Sequence, residues 1–169
     1  MPVSEQTVEC RLVSYETSLP YDSIIGRLDV ALSKDKSPTA VNNSAGAVWH
    51  QTNKEAIDAL LPLDRFFFFN EYPHHRWLDN YNGTKTPRTT VYVIGNPRIA
   101  ATMFKYGLDA GLHIPPRLLI MEKPAGTTIS YIKPSSAVAL PGCVPELREA
   151  AENVDAKLAG LLDEITKTG

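Results

Sequence analysis

A run of four consecutive phenylalanines at positions 66–69 constrains the fold of this chain more than any other feature of its sequence. In a β-strand, successive side chains point to opposite faces, so Phe66 and Phe68 are expected on one face and Phe67 and Phe69 on the other. Large apolar side chains on both faces must be kept from water. The segment 65–72 is therefore predicted to be a strand that helices, a second subunit or a ligand cavity covers.

Length and composition indicate one soluble domain over residues 1–169, since 43% of the residues are hydrophobic and 21% are charged. The 17 basic and 19 acidic residues leave a formal net charge of −2, which argues against a nucleic-acid partner. The N-terminus shows no signal-peptide pattern and no apolar run is long enough for a bilayer, so a cytoplasmic protein without a membrane partner is expected. Cys10 and Cys143 are expected to be reduced.

The spacing of apolar residues predicts the order of helices and strands along the chain. Strands are predicted near 8–12, 65–72, 89–94, 117–122 and 127–133, and helices near 20–32, 52–61, 96–107 and 145–165. The segment near 33–51 is polar and is predicted to be a loop insertion. Because the last strands follow one another through short connections, an α+β fold with a mostly antiparallel sheet is favoured over a parallel one.

The densest group of polar and aromatic residues, 70–79, comes directly after the four phenylalanines. His74 has a side chain whose ordinary pKa lies near neutrality, and Glu71 lies three residues before it. The two could move protons to and from a small molecule. Arg117 begins a strand and could point inward, where it would pair with an acid or hold an anionic oxygen. The alternative is a loop histidine, a solvated carboxylate and an arginine that reaches water.

No cofactor or metal is expected, because the phosphate-binding, nucleophile-elbow and zinc-protease motifs are missing from the sequence. His50, His74, His75 and His113, with Glu71, supply suitable ligand types, but their spacing matches no known zinc pattern. Whether His50, His75 or His113 joins the site stays open.

Three stretches, 91–100, 108–122 and 129–136, resemble the domain-of-unknown-function family numbered 302. The stretch from Glu71 to Trp77 resembles the acid–aromatic–x–His–x–x–Trp segment of the fungal branch of that family. The resemblance implies a fold similar to one repeat of the TATA-binding protein. Such a fold is a curved sheet with helices packed on one face, in the order β-α-β4-α with an added short helix. It also implies a homodimer.

The first hypothesis is a cofactor-independent enzyme that moves protons on a small, largely apolar molecule, as a cyclase, isomerase or dehydratase of secondary metabolism does. Glu71 and His74 would be the acid and base, and Arg117 would hold an anionic or enolate oxygen. The residues expected to line the pocket are Phe67, Phe69, Trp77 and Tyr131. The alternatives are a non-catalytic protein that binds a small ligand and a dimeric interaction domain with the phenylalanine strand at its interface.

Overall fold

The computed structural model describes residues 1–36 and 53–168. Within these residues the strands form one five-stranded sheet in the order β1-β5-β4-β3-β2, and every neighbouring pair is antiparallel. The strands are β1 (Leu12–Thr17), β2 (Phe67–Pro73), β3 (Thr89–Gly95), β4 (Arg117–Lys123) and β5 (Gly126–Ile132). The antiparallel sheet confirms the predicted α+β class.

The helices of the described residues differ greatly in length. They are α1 (Tyr21–Ala31), α2 (Lys54–Leu60), α3 (His74–Asn82), α4 (Pro97–Phe104), α5 (Pro134–Val138) and α6 (Pro145–Thr166), with 3-10 turns at Lys34–Lys36 and Leu108–Leu112. The main elements come in the predicted order: β1, α1, the four strands β2 to β5, and the long α6. More short helices are inserted than the sequence indicated.

The curved sheet has one covered face and one partly open face. Tyr92, Leu118, Ile120 and Ile129 are fully buried on the face that α1 and α6 cover, which we call the inner face. The inner face and the two helices share one hydrophobic core. Residues that alternate with them, such as Leu119, are only half-buried on the opposite, outer face. This alternation is the period-two pattern of a sheet with one packed face.

The first strand begins later than predicted, at Leu12 rather than near Val8. Residues 8–10 alternate in the sequence, but all three are exposed. Their partner strand ends at Ile132, whose register partner is Leu12, so the earlier residues have no strand segment opposite them. A period-two pattern predicts a strand only where a neighbour can complete the hydrogen-bond ladder.

The helix that follows β2 was not predicted from the sequence. Strand β2 continues to Pro73, and helix α3 follows at once from His74 to Asn82. Gly83, with a φ of 66°, ends the helix in the left-handed conformation that glycine adopts without steric cost. None of the residues of α3 is buried and most of them are polar, so the helix has no stripe of core residues of the kind that predicts a helix from sequence.

The four phenylalanines also depart from simple alternation. Phe66, Phe67 and Phe68 are all buried, and Phe69 is half-buried. Phe66 precedes the strand, and the register shifts at Phe69, between the Phe68–Ile94 and Asn70–Val93 pairs. The bulge breaks the alternation, and the chain itself covers most of this apolar run.

The predicted insertion near 33–51 lies outside the described residues, apart from the 3-10 turn at Lys34–Lys36. His50 and the helix start expected at Thr52 also lie outside them. Among the residues that the structure describes, no helix has the length and apolar character needed to cross a bilayer.

Asn96 joins β3 to α4 and fixes the segment before β2. Its side-chain oxygen accepts a hydrogen bond from the backbone N–H of Arg98 at 3.0 Å, which caps α4. Its side-chain amide donates to the carbonyl oxygens of Pro62 at 2.8 Å and Arg65 at 2.9 Å. This buried side chain therefore satisfies groups from two separate segments of the chain.

Asn96→Ala is expected to lower the free energy of unfolding by about 2 to 4 kcal/mol, because it removes a helix cap and leaves two carbonyls without their donor. Urea unfolding followed by far-UV circular dichroism measures the change. Asn82→Ala, at an exposed position at the end of α3, should cost less than about 0.5 kcal/mol. Equal losses in the two variants would contradict the role given to Asn96.

Candidate functional site

Glu71 lies in a cluster of four polar side chains at the β2 edge of the inner face. Its carboxylate accepts a hydrogen bond from the Lys34 ammonium at 3.0 Å, and the same ammonium donates to the Tyr92 hydroxyl at 3.0 Å. Tyr92 in turn donates to Asp29 at 2.7 Å. We call Asp29, Lys34, Glu71 and Tyr92 the Lys34 cluster. It connects the end of α1 and the turn after it to strands β2 and β3.

The Lys34 ammonium also lies close to two aromatic rings. The Lys34 ammonium lies 4.8 Å from the ring centre of Phe68 and 4.9 Å from that of Tyr92, in addition to its two carboxylates. Burial, and then the hydrogen bond to Asp29, raise the pKa of Tyr92 far above its ordinary value. Every polar group here has a partner within the chain, as in a structural ion-pair network.

His74 and Arg117 lie apart from this cluster. His74 begins α3, where its Nδ1 accepts the indole N–H of Trp77 at 3.3 Å. Glu71 pairs with Tyr92 in the sheet and so faces inward, whereas Arg117 pairs with Val93 and so lies on the outer face, where it is exposed. The structure thus does not bring the three predicted catalytic residues together, because the pleat places Glu71 and Arg117 on opposite sides of the sheet.

A second ion network centres on Arg88 rather than on Arg117. The Arg88 guanidinium pairs with Glu122 at 2.7 Å and also with Asp22, and it lies 4.6 Å from the ring centre of Tyr21. The hydrogen bonds from Arg88 lower the pKa of Glu122 to about 2. Glu122, an acid on the same strand as Arg117, is therefore paired with a different arginine.

An apolar cavity of about 250 Å³ lies between the ends of β2 and β3, helix α4 and the segment before β4. We call it the Phe69 cavity. Side chains that line it include Phe66, Phe69, Met103 and Phe104. Among the described lining residues, Asn96 alone has a polar side chain, and its amide is already hydrogen-bonded to Pro62 and Arg65. This cavity can therefore hold an apolar molecule but offers no titratable group to it.

Of the four residues predicted to contact a ligand, only Phe69 lines this cavity. Phe67 is buried in β2 beside Gly95, and Trp77 is 56% exposed on α3. Tyr131 is buried on the inner face, where burial and the nearby Tyr15, Asp155 and Asp163 raise its pKa to about 12. The roles in ligand binding predicted for these three residues have no geometric support from the cavity.

No group of three or more His, Cys, Asp or Glu side chains is arranged to hold a metal ion within the described part of the chain. His75 accepts a hydrogen bond from the backbone N–H of Thr89 at 3.2 Å, and His113 is exposed after the second 3-10 turn. Cys10 is exposed and Cys143 is half-buried, and neither forms a disulfide.

Sequence reasoning missed two groups of residues. Lys34 meets Glu71 across 37 residues of sequence, and Tyr92 meets Asp29 across 63. No local pattern in the sequence signals such contacts. The cavity residues Gly95 and Pro115 could have been found from the sequence. Both lie in the stretches that resemble the family, Gly95 directly before the helix cap and Pro115 in a pair of consecutive prolines.

The family to which the chain belongs is the one described as "Domain of unknown function DUF302", whose profile matches residues 49–165. This range is wider than the stretches that suggested the family. A similar solved structure is the "uncharacterized conserved protein DUF302 from Bacillus stearothermophilus". It is 18% identical, with a TM-score of 0.64 over 92% of this chain and 98% of that chain, which shows a shared fold. No curated protein matches the chain.

The Arg88 network makes stability depend on pH in a defined range. Glu122 has a folded-state pKa of about 2 against an ordinary value of 4.5, so its contribution to stability is complete above pH 4.5 and is lost as the pH falls toward 2. Glu122→Gln is expected to be less stable than the native chain at neutral pH, and the difference should shrink toward pH 2. Urea unfolding across this pH range measures it.

Glu149→Gln, at an exposed position on α6, serves as the matched control and should keep the native pH dependence. If Glu122→Gln also kept the native slope between pH 4.5 and about 2, the ion pair with Arg88 would not exist in solution.

Proposed function

We propose that this protein binds a small, neutral, apolar molecule in the Phe69 cavity. The observation that carries the proposal is an apolar cavity of about 250 Å³ whose described lining has no titratable side chain. An apolar cavity of about 150 Å³ is already large enough to take up benzene. A charged ligand is disfavoured because it would lose its hydration without gaining a partner. The expected ligand is therefore of monocyclic size and uncharged.

The acid–base enzyme predicted from the sequence receives less support from the geometry. Proton transfer requires a titratable group within hydrogen-bond reach of the ligand, and the described cavity lining supplies none. Glu71 is instead bound to Lys34, and Arg117 lies on the other face of the sheet. Binding without chemistry is thus the better-supported function, and the catalytic roles of Glu71, His74 and Arg117 stay predictions.

A homodimer formed through the outer face is a second candidate, which the apolar character of that face favours. Val91 and Leu119 are register partners on its central strands, Val93 and Met121 lie on the same face beside them, and all four are only half-buried. Large patches of this kind are commonly covered by another protein surface. A second copy of the chain is the occupant that the family resemblance implies.

The finer predictions from the sequence stay proposals. They are membership of the fungal branch of the family, similarity to a repeat of the TATA-binding protein, a role in secondary metabolism and a cytoplasmic location. A small neutral ligand is compatible with each of them.

Ala100→Leu tests the proposed binding by placing extra methyl groups inside the cavity, which Ala100 lines. With fluorobenzene as the probe and ¹⁹F NMR titration as the measurement, the native chain should bind saturably. The variant should bind at least about tenfold more weakly. Ala101→Leu, at the adjacent exposed position of α4, should bind as the native chain does. Equal affinity in all three proteins, or no saturable binding by the native chain, would reject the proposal.

Leu119→Lys tests the dimer by placing a charge at the centre of the outer face. Sedimentation velocity should show a dimer for the native chain and a monomer for the variant, because a buried unpaired ammonium is strongly disfavoured. Leu108→Lys, at a position 79% exposed in the second 3-10 turn, should leave the native state unchanged. A native monomer at high protein concentration would exclude this candidate.

A further inference from the structure

The two edge strands of the sheet, β1 and β2, differ in how their unpaired backbone groups are protected. At the β2 edge, the N–H of Phe68 donates to the carbonyl oxygen of Leu32 at 3.3 Å. The N–H of Glu71 donates to the side-chain oxygen of Asn70 at 2.8 Å, and Pro73 has no N–H to offer. A chain segment, a side chain and a proline therefore block the addition of a further strand to β2.

The edge of β1 is open instead. The N–H of Lys133 donates to the carbonyl oxygen of Arg11 at 2.8 Å, so the odd-numbered residues of this strand direct their backbone groups toward β5. The N–H and C=O groups of Leu12, Ser14 and Glu16 then point away from the sheet. All three residues are exposed, and the strand contains no proline, lysine or bulge. These backbone groups form a row to which another extended chain can pair.

Apolar and acidic side chains flank this row. On the inner face, Val13 and Tyr15 are partly buried against the core, which ends at this edge. Asp163 of α6 lies beside Tyr15, because burial and then the Asp163 carboxylate raise the pKa of Tyr15. Glu16 is exposed on the outer face. Within the described residues, neither Glu16 nor Asp163 has a cationic partner. An unpaired carboxylate thus lies on each side of the strand.

We propose that the edge of β1 docks an extended, basic segment of a partner protein, which adds a further strand to the sheet. Backbone hydrogen bonds to Leu12, Ser14 and Glu16 hold the segment, as in other cases of strand addition. Its apolar side chains extend the core beside Val13 and Tyr15, and its basic side chains meet the unpaired carboxylates. The strand Leu12–Thr17 contains a carboxylate and no cation, so a second β1 would not supply the missing charge. The proposal does not depend on the Phe69 cavity.

The probe is an acetylated and amidated hexapeptide in which valine and lysine alternate, and ¹H–¹⁵N NMR titration is the measurement. The backbone amide resonances of Ser14 and Glu16 should shift saturably, because these groups gain hydrogen-bond partners. The amide resonance of Glu71, at the protected edge, should stay in place. The same peptide with glutamate in place of lysine should bind at least about tenfold more weakly, since it meets like charges.

Variants of the edge test the backbone and the charge separately. Ser14→Pro removes the central N–H of the row, which β5 does not use, and should bind the lysine peptide at least about tenfold more weakly. Ser14→Ala loses only the hydroxyl contact with Ser130 and should bind as the native chain does. Glu16→Lys should weaken binding by about threefold or more. Asp64→Lys, the same change of charge at an exposed position before β2, should not. Circular dichroism and thermal unfolding establish that each variant is folded.

The possible outcomes decide between occupants of the edge. Without saturable shifts at Ser14 and Glu16, or with equal affinities of Ser14→Pro and Ser14→Ala, the docking edge is overturned. Equal binding of the glutamate peptide would overturn the basic partner. If the same two resonances shift with protein concentration in the absence of peptide, a second copy occupies the edge and the proposal is also overturned. Fluorobenzene binding is measured separately, so the cavity and the edge can fail independently.

Discussion

The packing of α1 and α6 on a single face of the antiparallel sheet is the constraint on which the rest of the structure depends. Leu28 of α1 and Leu158 and Leu162 of α6 are fully buried against the inner face. Each such side chain contributes about 1.5 to 3 kcal/mol of burial free energy. Because the side chains of a strand alternate, this packing decides which residues can meet. It places Glu71 and Tyr131 inside and Arg117 outside.

The ion pairs and the apolar cavity occupy different parts of the sheet. Carboxylates and cations collect at the rim of the inner face in the Lys34 cluster and the Arg88 network, where each charge has an opposite partner. The cavity at the ends of β2 and β3 is lined by phenylalanine, proline and methionine side chains. A site whose described lining carries no charged side chain suits binding by shape and dispersion, which does not depend on proton transfer.

The sequence predicted those parts of the fold that local patterns determine. The predicted strands β3, β4 and β5 and the predicted helices α4 and α6 were all confirmed. The helix at His74–Asn82 was missed because its residues lack a buried face. Glu71 was selected as an important polar residue, but its partners Lys34 and Tyr92 come together only through tertiary contacts. Local sequence patterns could not show that Arg117 faces away from Glu71, since that depends on the register of the three strands β2, β3 and β4.

The central claim is that a neutral apolar molecule occupies the Phe69 cavity and not another apolar surface. Methyl NMR tests it most directly, because Met103 lines the cavity and Met121 lies on the outer face. On titration with fluorobenzene, the Met103 methyl resonance should shift saturably and the Met121 resonance should stay in place. A shift at Met121 alone, or no saturable shift at Met103, would contradict the account.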